Sequence, residues 1–167
     1  FLKNLIPNFE IVDIKEWKVK GRIDIYFEKK EDAPELICCR CGSKLHGARG
    51  RHRLMLEHMP IFNFKVYLHL WREKGHCKTC NKARSEAMDF VAEETPHLTK
   101  EYSWWLGRLC EMSAVKKVSE LTGIDNMTLH RLDFSRLKKL VQHYKIPKLK
   151  RISVDEVYGR SKKYHAK

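Results

Sequence analysis

Two pairs of cysteines have the types and the spacing of a metal site. Cys38 and Cys41 form one C-x-x-C pair, and Cys77 and Cys80 form a second. Each pair can offer two thiolates to one ion from a single tight turn, and two such pairs supply the four sulfurs that Zn²⁺ binds tetrahedrally. The sequence therefore predicts one structural Zn²⁺ site made by these four cysteines.

Three other residues could serve as metal ligands, and the cysteines could form disulfides instead of a metal site. Cys39 lies inside the first pair, where its spacing suits ligation less well, so we interpret it as a spare thiol. His46 and His76 lie near the cysteines and stay open as substitute ligands. A disulfide pair in a secreted domain is the remaining alternative, and no other feature of the sequence is typical of a secreted protein.

A second group of residues has the chemistry of base recognition. Ser119, Gly123, Ile124 and Leu129 have the spacing of a helix-turn-helix, whose second helix enters the major groove of DNA. Asn and Arg are well suited to bidentate contacts with adenine and guanine edges. An ordinary three-helix bundle with a polar face is the open alternative. The side chains that the second helix would present to DNA are Asn126, Met127, Thr128, His130 and Arg131.

Charged residues near the end of the sequence complete the candidate set. Lys148 and Lys150 lie in a basic connector, 145–151, that contains a proline and could follow phosphates. Asp155 and Glu156 follow a short β-branched run, at the end of a predicted strand. From the residues alone, such a carboxylate is most often a plain surface acid.

The first half of the chain has the alternation of strands. Apolar and polar residues alternate over 22–28 and 64–71, and 51–59 is a further candidate strand. The 35 residues between the cysteine pairs, 42–76, therefore predict a β-hairpin. Residues 1–20 predict a short helix followed by a strand. So small a sheet is expected to depend on zinc for its stability.

From residue 99 the apolar period changes to about 3.6, which predicts helices. The expected caps are Thr99 for a helix over 100–112, Ser113 for a second helix through Leu121, and Asp125 for a third helix from Asn126 to about residue 144. The residues predicted to face inward are Tyr102, Trp105, Leu106 and Leu109 in the first helix, Val115, Val118 and Leu121 in the second, and Leu129, Leu132, Leu137 and Leu140 in the third.

The predicted fold class is thus α+β, with a zinc ribbon-like sheet followed by helices. The predicted divisions are a β-rich domain with the Cys₄ site over 1–92, a linker over 93–98, a helix-turn-helix domain over 99–144, a basic linker over 145–151 and the opening of a further domain over 152–167.

Composition narrows the class of partner. The chain of 167 residues is 43% hydrophobic, which supports a folded core, and it contains no apolar run near 18 residues. Its formal net charge of +13 favours an acidic polymer as partner. We therefore expect a soluble, cytoplasmic protein that binds nucleic acid and no membrane.

The order of these features resembles the insertion-sequence transposases of the ISL-three family. A zinc knuckle pair and a helix-turn-helix are followed here by ISVDEVYGRSKKYHA, residues 152–166. The family belongs to the DDE class, whose catalytic domain is ribonuclease H-like. The resemblance implies that 152–167 begins such a domain and that Asp155 is its first catalytic carboxylate. It also implies that the zinc and helix-turn-helix regions bind the inverted repeats of a transposon as double-stranded DNA.

The resemblance also implies a reaction that these residues alone do not complete. DDE chemistry uses three carboxylates that hold two Mg²⁺ ions, and only 12 residues follow Asp155. Mg²⁺ is therefore expected only for the full-length catalytic domain, and the chain is expected to be a DNA-binding fragment or a truncated product. A non-enzymatic DNA-binding regulator and a zinc-ribbon module for RNA or protein contacts are the alternatives. Homodimerisation stays open, and nucleoid association in a prokaryotic cytoplasm is expected.

Overall fold

A sheet followed by three helices forms the part of the chain that the computed structural model describes, residues 6–142 and 144–145. The strands are β1 (Phe9–Trp17), β2 (Arg22–Lys29), β3 (Leu45–Ile61), β4 (Phe64–Cys77) and β5 (Lys82–Ser85). The helices are α1 (Lys100–Met112), α2 (Val115–Thr122) and α3 (Asn126–Gln142). The mixed α+β class is confirmed. None of these helices is both long and apolar enough to cross a membrane.

The hairpin predicted between the cysteine pairs is β3 and β4, which pair antiparallel from Leu45↔Cys77 to Ile61↔Phe64. Both strands are longer than the alternation predicted, so that β3 continues through Pro60 and β4 reaches Cys77. Three irregularities in the pairing allow this length, because bulges let a long ribbon bend. The hairpin therefore carries the second cysteine pair at its open end.

The sheet order, β1-β2-β4-β3, contains one pairing that local patterns do not predict. β1 and β2 form an antiparallel pair, whereas β2 and β4 run parallel. β5, which was not predicted, pairs with the last residues of β4. The predicted strand at the start of the chain is confirmed as β1, and residues 6–8 form a turn before it. Residues 1–5, where the preceding helix was expected, lie outside the described residues.

Alternation gives the sheet one apolar face and one polar, aromatic face. Ile25, Leu56, Val66, Leu68 and Leu70 are buried on the apolar face, which packs with Ile6, Phe9 and Met88. The sulfurs of the cysteine pairs belong to a different cluster. The sheet therefore has a core of its own, which argues against a dependence of the whole sheet on zinc, and that dependence stays a matter for experiment.

The three helices begin and end close to the predicted positions. The hydroxyl of Thr99 accepts a hydrogen bond from the backbone N–H of Tyr102 at the start of α1. A carboxylate oxygen of Asp125 accepts one from the N–H of Thr128, 2.9 Å away, at the start of α3. Ser113, however, ends α1 instead of capping α2, and Ala114 precedes α2 without a side-chain cap.

Three leucines predicted to face inward are exposed. Leu121 on α2, and Leu137 and Leu140 on α3, all lie on the surface. The helical core is formed at the other end of α3, where Leu129 and Leu132 pack with Tyr102, Leu106 and Val118. The apolar period of α3 continues past the point at which α1 and α2 can cover it, which explains the exposure of Leu137 and Leu140.

A buried arginine fixes the crossing of α1 and α3. The Arg136 guanidinium forms ion pairs with Asp133, at 3.0 Å, and with Glu111, at 3.3 Å. Its side chain lies against Gly107, where an added Cβ would come within 2.8 Å of the Arg136 Cδ. Gly107 is therefore required for the close approach that sets the position of α3.

The segment between the sheet and the helices is attached to β3. The Glu57 N–H donates to the carbonyl of His97, and the Thr99 N–H donates to the carbonyl of Glu57. Thr95 and Leu98 are buried. Residues 97–99 thus bring the start of α1 against the sheet, and the division of the chain into domains stays a prediction.

Candidate metal centre and nucleic-acid interface

Four cysteine sulfurs meet at the open end of the β3–β4 hairpin. The sulfurs of Cys38, Cys41, Cys77 and Cys80 all lie within 4.8 Å of one another. Three of the separations are 3.4 Å for Cys41–Cys77, 3.5 Å for Cys80–Cys41 and 3.9 Å for Cys38–Cys80. Sulfurs bound tetrahedrally at about 2.3 Å from zinc lie roughly 3.8 Å apart. The cluster therefore has the donor type, the number and the spacing of a closed zinc site.

Each cysteine pair lies on a tight turn with the same backbone form. The residue after the second cysteine has a positive φ in both, 71° at Gly42 and 49° at Asn81. Backbone N–H groups point at the first sulfur of each pair, from Arg40 to Cys38 and from Cys80 to Cys77, both at 3.4 Å. These hydrogen bonds stabilise negative charge on the sulfurs.

Strand pairing holds the two turns together. Cys77 ends β4, opposite Leu45 of β3. The first turn is held by the N–H of Cys39, which donates to the carbonyl of Ser85 at the end of β5. Cys38 and Cys77 are buried with Leu45, whereas Cys41 is exposed. β5 therefore positions the first pair of cysteines against the second.

The thiols of the cluster differ in acidity. Hydrogen bonds from the hydroxyl and the N–H of Ser43 lower the pKa of Cys41 to about 6. Hydrogen bonds from the backbone N–H groups of Arg40 and Cys41 lower the pKa of Cys38. The S–H of Cys80 is donated to the Cys41 sulfur, which raises the pKa of Cys80 to about 12. Four thiolates in contact repel one another, so that their joint ionisation needs a cation.

The residues weighed as other ligands lie outside this cluster. Among the described residues the metal-ligating group contains the four paired cysteines, without Cys39, His46 or His76. Cys39 is exposed. His46 and His76 face each other across the β3–β4 ladder. The donor set is consistent with zinc.

Two supporting residues were not anticipated from the sequence. Ser43 donates to Cys41, and Asn81 takes the backbone form that Gly42 takes in the other turn. Asn is among the few residues other than glycine that adopt this form readily. The signal lay in the spacing, since Asn81 directly follows the second C-x-x-C pair and Ser43 stands two residues after the first.

The candidate base-reading residues lie on the first turns of α3. Asn126, Met127, His130 and Arg131 are exposed, and their spacing places them on one side of the helix. Thr128 is half-buried, and its N–H is bound by Asp125. The side of α3 opposite to the core therefore carries one amide, one imidazole and one guanidinium.

The turn before α3 has the geometry that its glycine predicted. Gly123 has a φ of 75°, and its N–H donates to the carbonyl of Ser119 at 2.8 Å. The Thr122 hydroxyl donates to the carbonyl of Val118 and accepts from the N–H of Ile124. Leu129, which follows on α3, is fully buried. These contacts fix α3 relative to α2.

Three candidate site residues lie outside the described residues. They are Lys148 and Lys150 of the basic connector and Asp155 of the expected catalytic strand. Their roles stay predictions.

Comparison with known proteins gives one informative similarity. The chain is 25% identical over 147 residues to the transposase for insertion sequence element IS1001 of Bordetella parapertussis. The match covers 87% of this chain and 36% of that protein, so this chain spans about a third of the relative's length. No family model matches the chain, and no solved structure matches it. The similarity supports a relation of this chain to insertion-sequence transposases. It does not distinguish the ISL-three family from other families of them.

Proposed function

We propose that this chain is the N-terminal DNA-recognition region of a DDE-type insertion-sequence transposase, of or near the ISL-three family. It would bind the terminal inverted repeats of its element as duplex DNA, in the cytoplasm and at the nucleoid. The observation that carries the proposal is the similarity to a transposase over 87% of the chain. The net charge of +13 and the exposed polar side of α3 agree with it.

In this proposal zinc has a structural role. Cys38, Cys41, Cys77 and Cys80 would hold one Zn²⁺ and leave no open coordination position for a substrate. The ion would tie β5 and the first cysteine turn to the end of the hairpin. It would not take part in DNA chemistry.

Sequence recognition would belong to α3, as the second helix of a helix-turn-helix. Arg131 and Asn126 would read base edges, with Met127, Thr128 and His130 beside them in the major groove. Lys148 and Lys150 would contact phosphates without reading sequence. Two α3 helices would read two half-sites if the protein forms a homodimer.

Strand cleavage and transfer would belong to the whole protein. Asp155 would be the first of three carboxylates that bind Mg²⁺ in the full-length catalytic domain. Asp155→Asn in the full-length protein is then expected to abolish cleavage and leave DNA binding intact. A non-enzymatic regulator with the same DNA-binding parts was the other function expected from sequence, and no observation on the described residues favours it.

The experiment is a selection of bound duplexes from a random library, followed by affinity measurements. The selected sequence is expected to match the ends of the element that encodes the protein. Arg131→Ala and Asn126→Ala are each expected to reduce the preference for that sequence over random duplex by about 1–3 kcal/mol.

Arg108→Ala is the matched control. Arg108 is an exposed arginine on α1, paired with Glu111, and its replacement is expected to leave the preference unchanged. A selection that returns no preferred duplex would reject the proposed function. Equal losses on selected and random DNA for Arg131→Ala would place that residue on a phosphate instead.

A further inference from the structure

The aromatic face of the sheet carries two arginines held on one tryptophan. Arg51 and Arg53 alternate on β3, and Trp71 lies directly opposite Arg53 on β4. The Arg51 and Arg53 guanidinium carbons lie 4.6 Å and 5.5 Å from the centroid of the Trp71 ring. We call these three residues the Arg–Trp cluster. Cation–π contact of this kind fixes the position of a guanidinium without neutralising its charge.

Another arginine on the same face shows the contrast. Arg22 lies 4.2 Å from the centroid of Tyr67, but its guanidinium also binds the buried carboxylate of Asp24 at 2.6 Å. The charge of Arg22 is therefore already matched within the fold. Among the described residues, Arg51 and Arg53 form no such ion pair, although Glu73 lies directly opposite Arg51 on β4 and Glu28 lies near Trp71. Their guanidinium groups are positioned by Trp71 and lack the close ion pair that Arg22 makes.

The surrounding chain is strongly basic. Residues 40–53 and 71–85 together contain ten Lys or Arg residues and one acidic residue, Glu73. These ranges contain the end of the first cysteine turn, the whole second turn, β5 and the hairpin arm that joins them to the sheet core. This end of the molecule is therefore strongly basic, which attracts a polyanion.

The face of the sheet that carries the cluster continues along β3 to the start of α3. A cavity of about 390 Å³ separates the sheet from the α2–α3 turn, and it is lined by Met55 and Tyr67 on one side and by Asp125 and Thr128 on the other. Met55 follows Arg53 on the same face of β3. At about 3.4 Å per residue, Arg51 lies roughly 14 Å from Met55 along the strand, less than half of the ~34 Å turn of a DNA duplex.

We propose that the Arg–Trp cluster is a second DNA-binding site, which contacts the sugar–phosphate backbone of the duplex whose bases α3 reads. This inference rests on the proposed function and adds a surface to it. A duplex in contact with the start of α3 would pass the cluster within one helical turn. Two guanidinium groups fixed before binding lose little freedom when they meet phosphates.

The test compares three changes in the cluster by fluorescence anisotropy over a series of salt concentrations. Arg51→Ala/Arg53→Ala is expected to weaken binding to selected and random duplexes equally, by roughly tenfold or more. The slope of log affinity against log salt should decrease by about 2, one for each lost phosphate contact. Trp71→Leu and Arg51→Lys/Arg53→Lys are expected to give smaller losses, because the charge remains and its fixed geometry is lost.

Lys18→Ala/Lys20→Ala is the charge-matched control. These two exposed lysines lie between β1 and β2, at the end of the sheet remote from Trp71, and their replacement is expected to cost less. An equal loss would mean that only net charge matters and would overturn the proposal. Zinc content and thermal melting verify that each variant is folded.

The remaining outcomes separate this inference from the function on which it rests. If Arg131→Ala alters sequence preference while Arg51→Ala/Arg53→Ala changes neither affinity nor slope, the cluster proposal fails and the proposed function stands. If the unmodified chain binds no duplex, both fail. A loss confined to single-stranded DNA or to RNA would assign the cluster to that partner and overturn the duplex proposal.

Discussion

Each pair of cysteines is held by residues that are not ligands. Gly42 and Asn81 let the chain turn behind the sulfurs, and the hydroxyl of Ser43 stabilises the Cys41 thiolate. Cys39, one position from Cys38, lies outside the group of converging sulfurs. At this scale, backbone conformation decides which of two adjacent cysteines can bind a metal.

Cys41→Ser is expected to lower zinc affinity sharply, because it removes one of four sulfurs, the one whose pKa the hydrogen bonds from Ser43 lower to about 6. Cys39→Ser is the matched control and is expected to retain full zinc content. Metal analysis of the purified variants, with chelator competition, measures both. The reverse result, with Cys39 required and Cys41 dispensable, contradicts the assignment.

Two contacts decide how the helices sit on the sheet. At the first, His58 on β3 is buried, and its Nδ1 lies 2.7 Å from the hydroxyl oxygen of Thr99, the cap of α1. At the second, Gly123 allows the sharp turn into α3, close to Lys65 of β4. Each contact joins two different elements, so that it depends on how they pack and not on either element alone.

The His58 contact predicts a dependence of stability on pH. Burial lowers the pKa of His58 below its ordinary value of 6.5, although Glu101 opposes this weakly. The folded protein thus favours the neutral imidazole. Its contribution to stability is complete above pH 6.5 and is lost as the pH falls from there through the lowered pKa.

Urea unfolding measures this loss of stability between about pH 7.5 and pH 5. The range begins about one unit above the ordinary pKa of histidine. His58→Gln is expected to flatten the dependence. His130→Gln, at an exposed histidine, is the control and is expected to leave it in place. His52, whose pKa burial also lowers, contributes in the same direction, so some dependence should persist in His58→Gln.

Gly123→Ala is expected to destabilise the protein by about 1 kcal/mol, because its φ of 75° is unfavourable for alanine. Gly47→Ala is the matched control, with a φ of 61° and open space around an added Cβ. Both changes should cost similar stability in urea unfolding. Only Gly123→Ala should weaken DNA binding as well, because it moves the start of α3, and equal DNA binding by the two variants would contradict this.

The described part of the molecule contains three separate buried clusters. One lies under the sheet, one lies among the helices, and the smallest surrounds Cys38, Leu45 and Cys77. The first two are joined by the pairing of residues 97–99 with β3. Zinc would therefore stabilise one end of the molecule and not the whole sheet.

Removal of zinc by a chelator is expected to disorder the cysteine turns and β5 while the sheet core and the helices persist. Hydrogen exchange should show lost protection at the amides of Arg40, Gly42 and Cys80, with protection retained at Leu56 and Leu68 of the core. Loss of protection throughout the sheet would instead restore the expectation that the sheet depends on zinc.

Local features of the sequence were sufficient for most elements and for the four cysteines that the fold brings together. The C-x-x-C spacing, the alternation in β2 and β4, and the caps Thr99 and Asp125 each act within a few residues. Such features are set by backbone geometry near the residue itself. This is why they could be predicted without the rest of the chain.

The tertiary structure alone decided which distant residues meet. The parallel pairing of β2 with β4, the addition of β5, the exposure of Leu137 and Leu140 and the contact of Trp71 with Arg51 and Arg53 all depend on chain segments far apart in sequence. The periodicity of a strand or helix states which residues share a face, but not what covers that face. Coverage depends on how the packed elements end, and only the folded chain determines that.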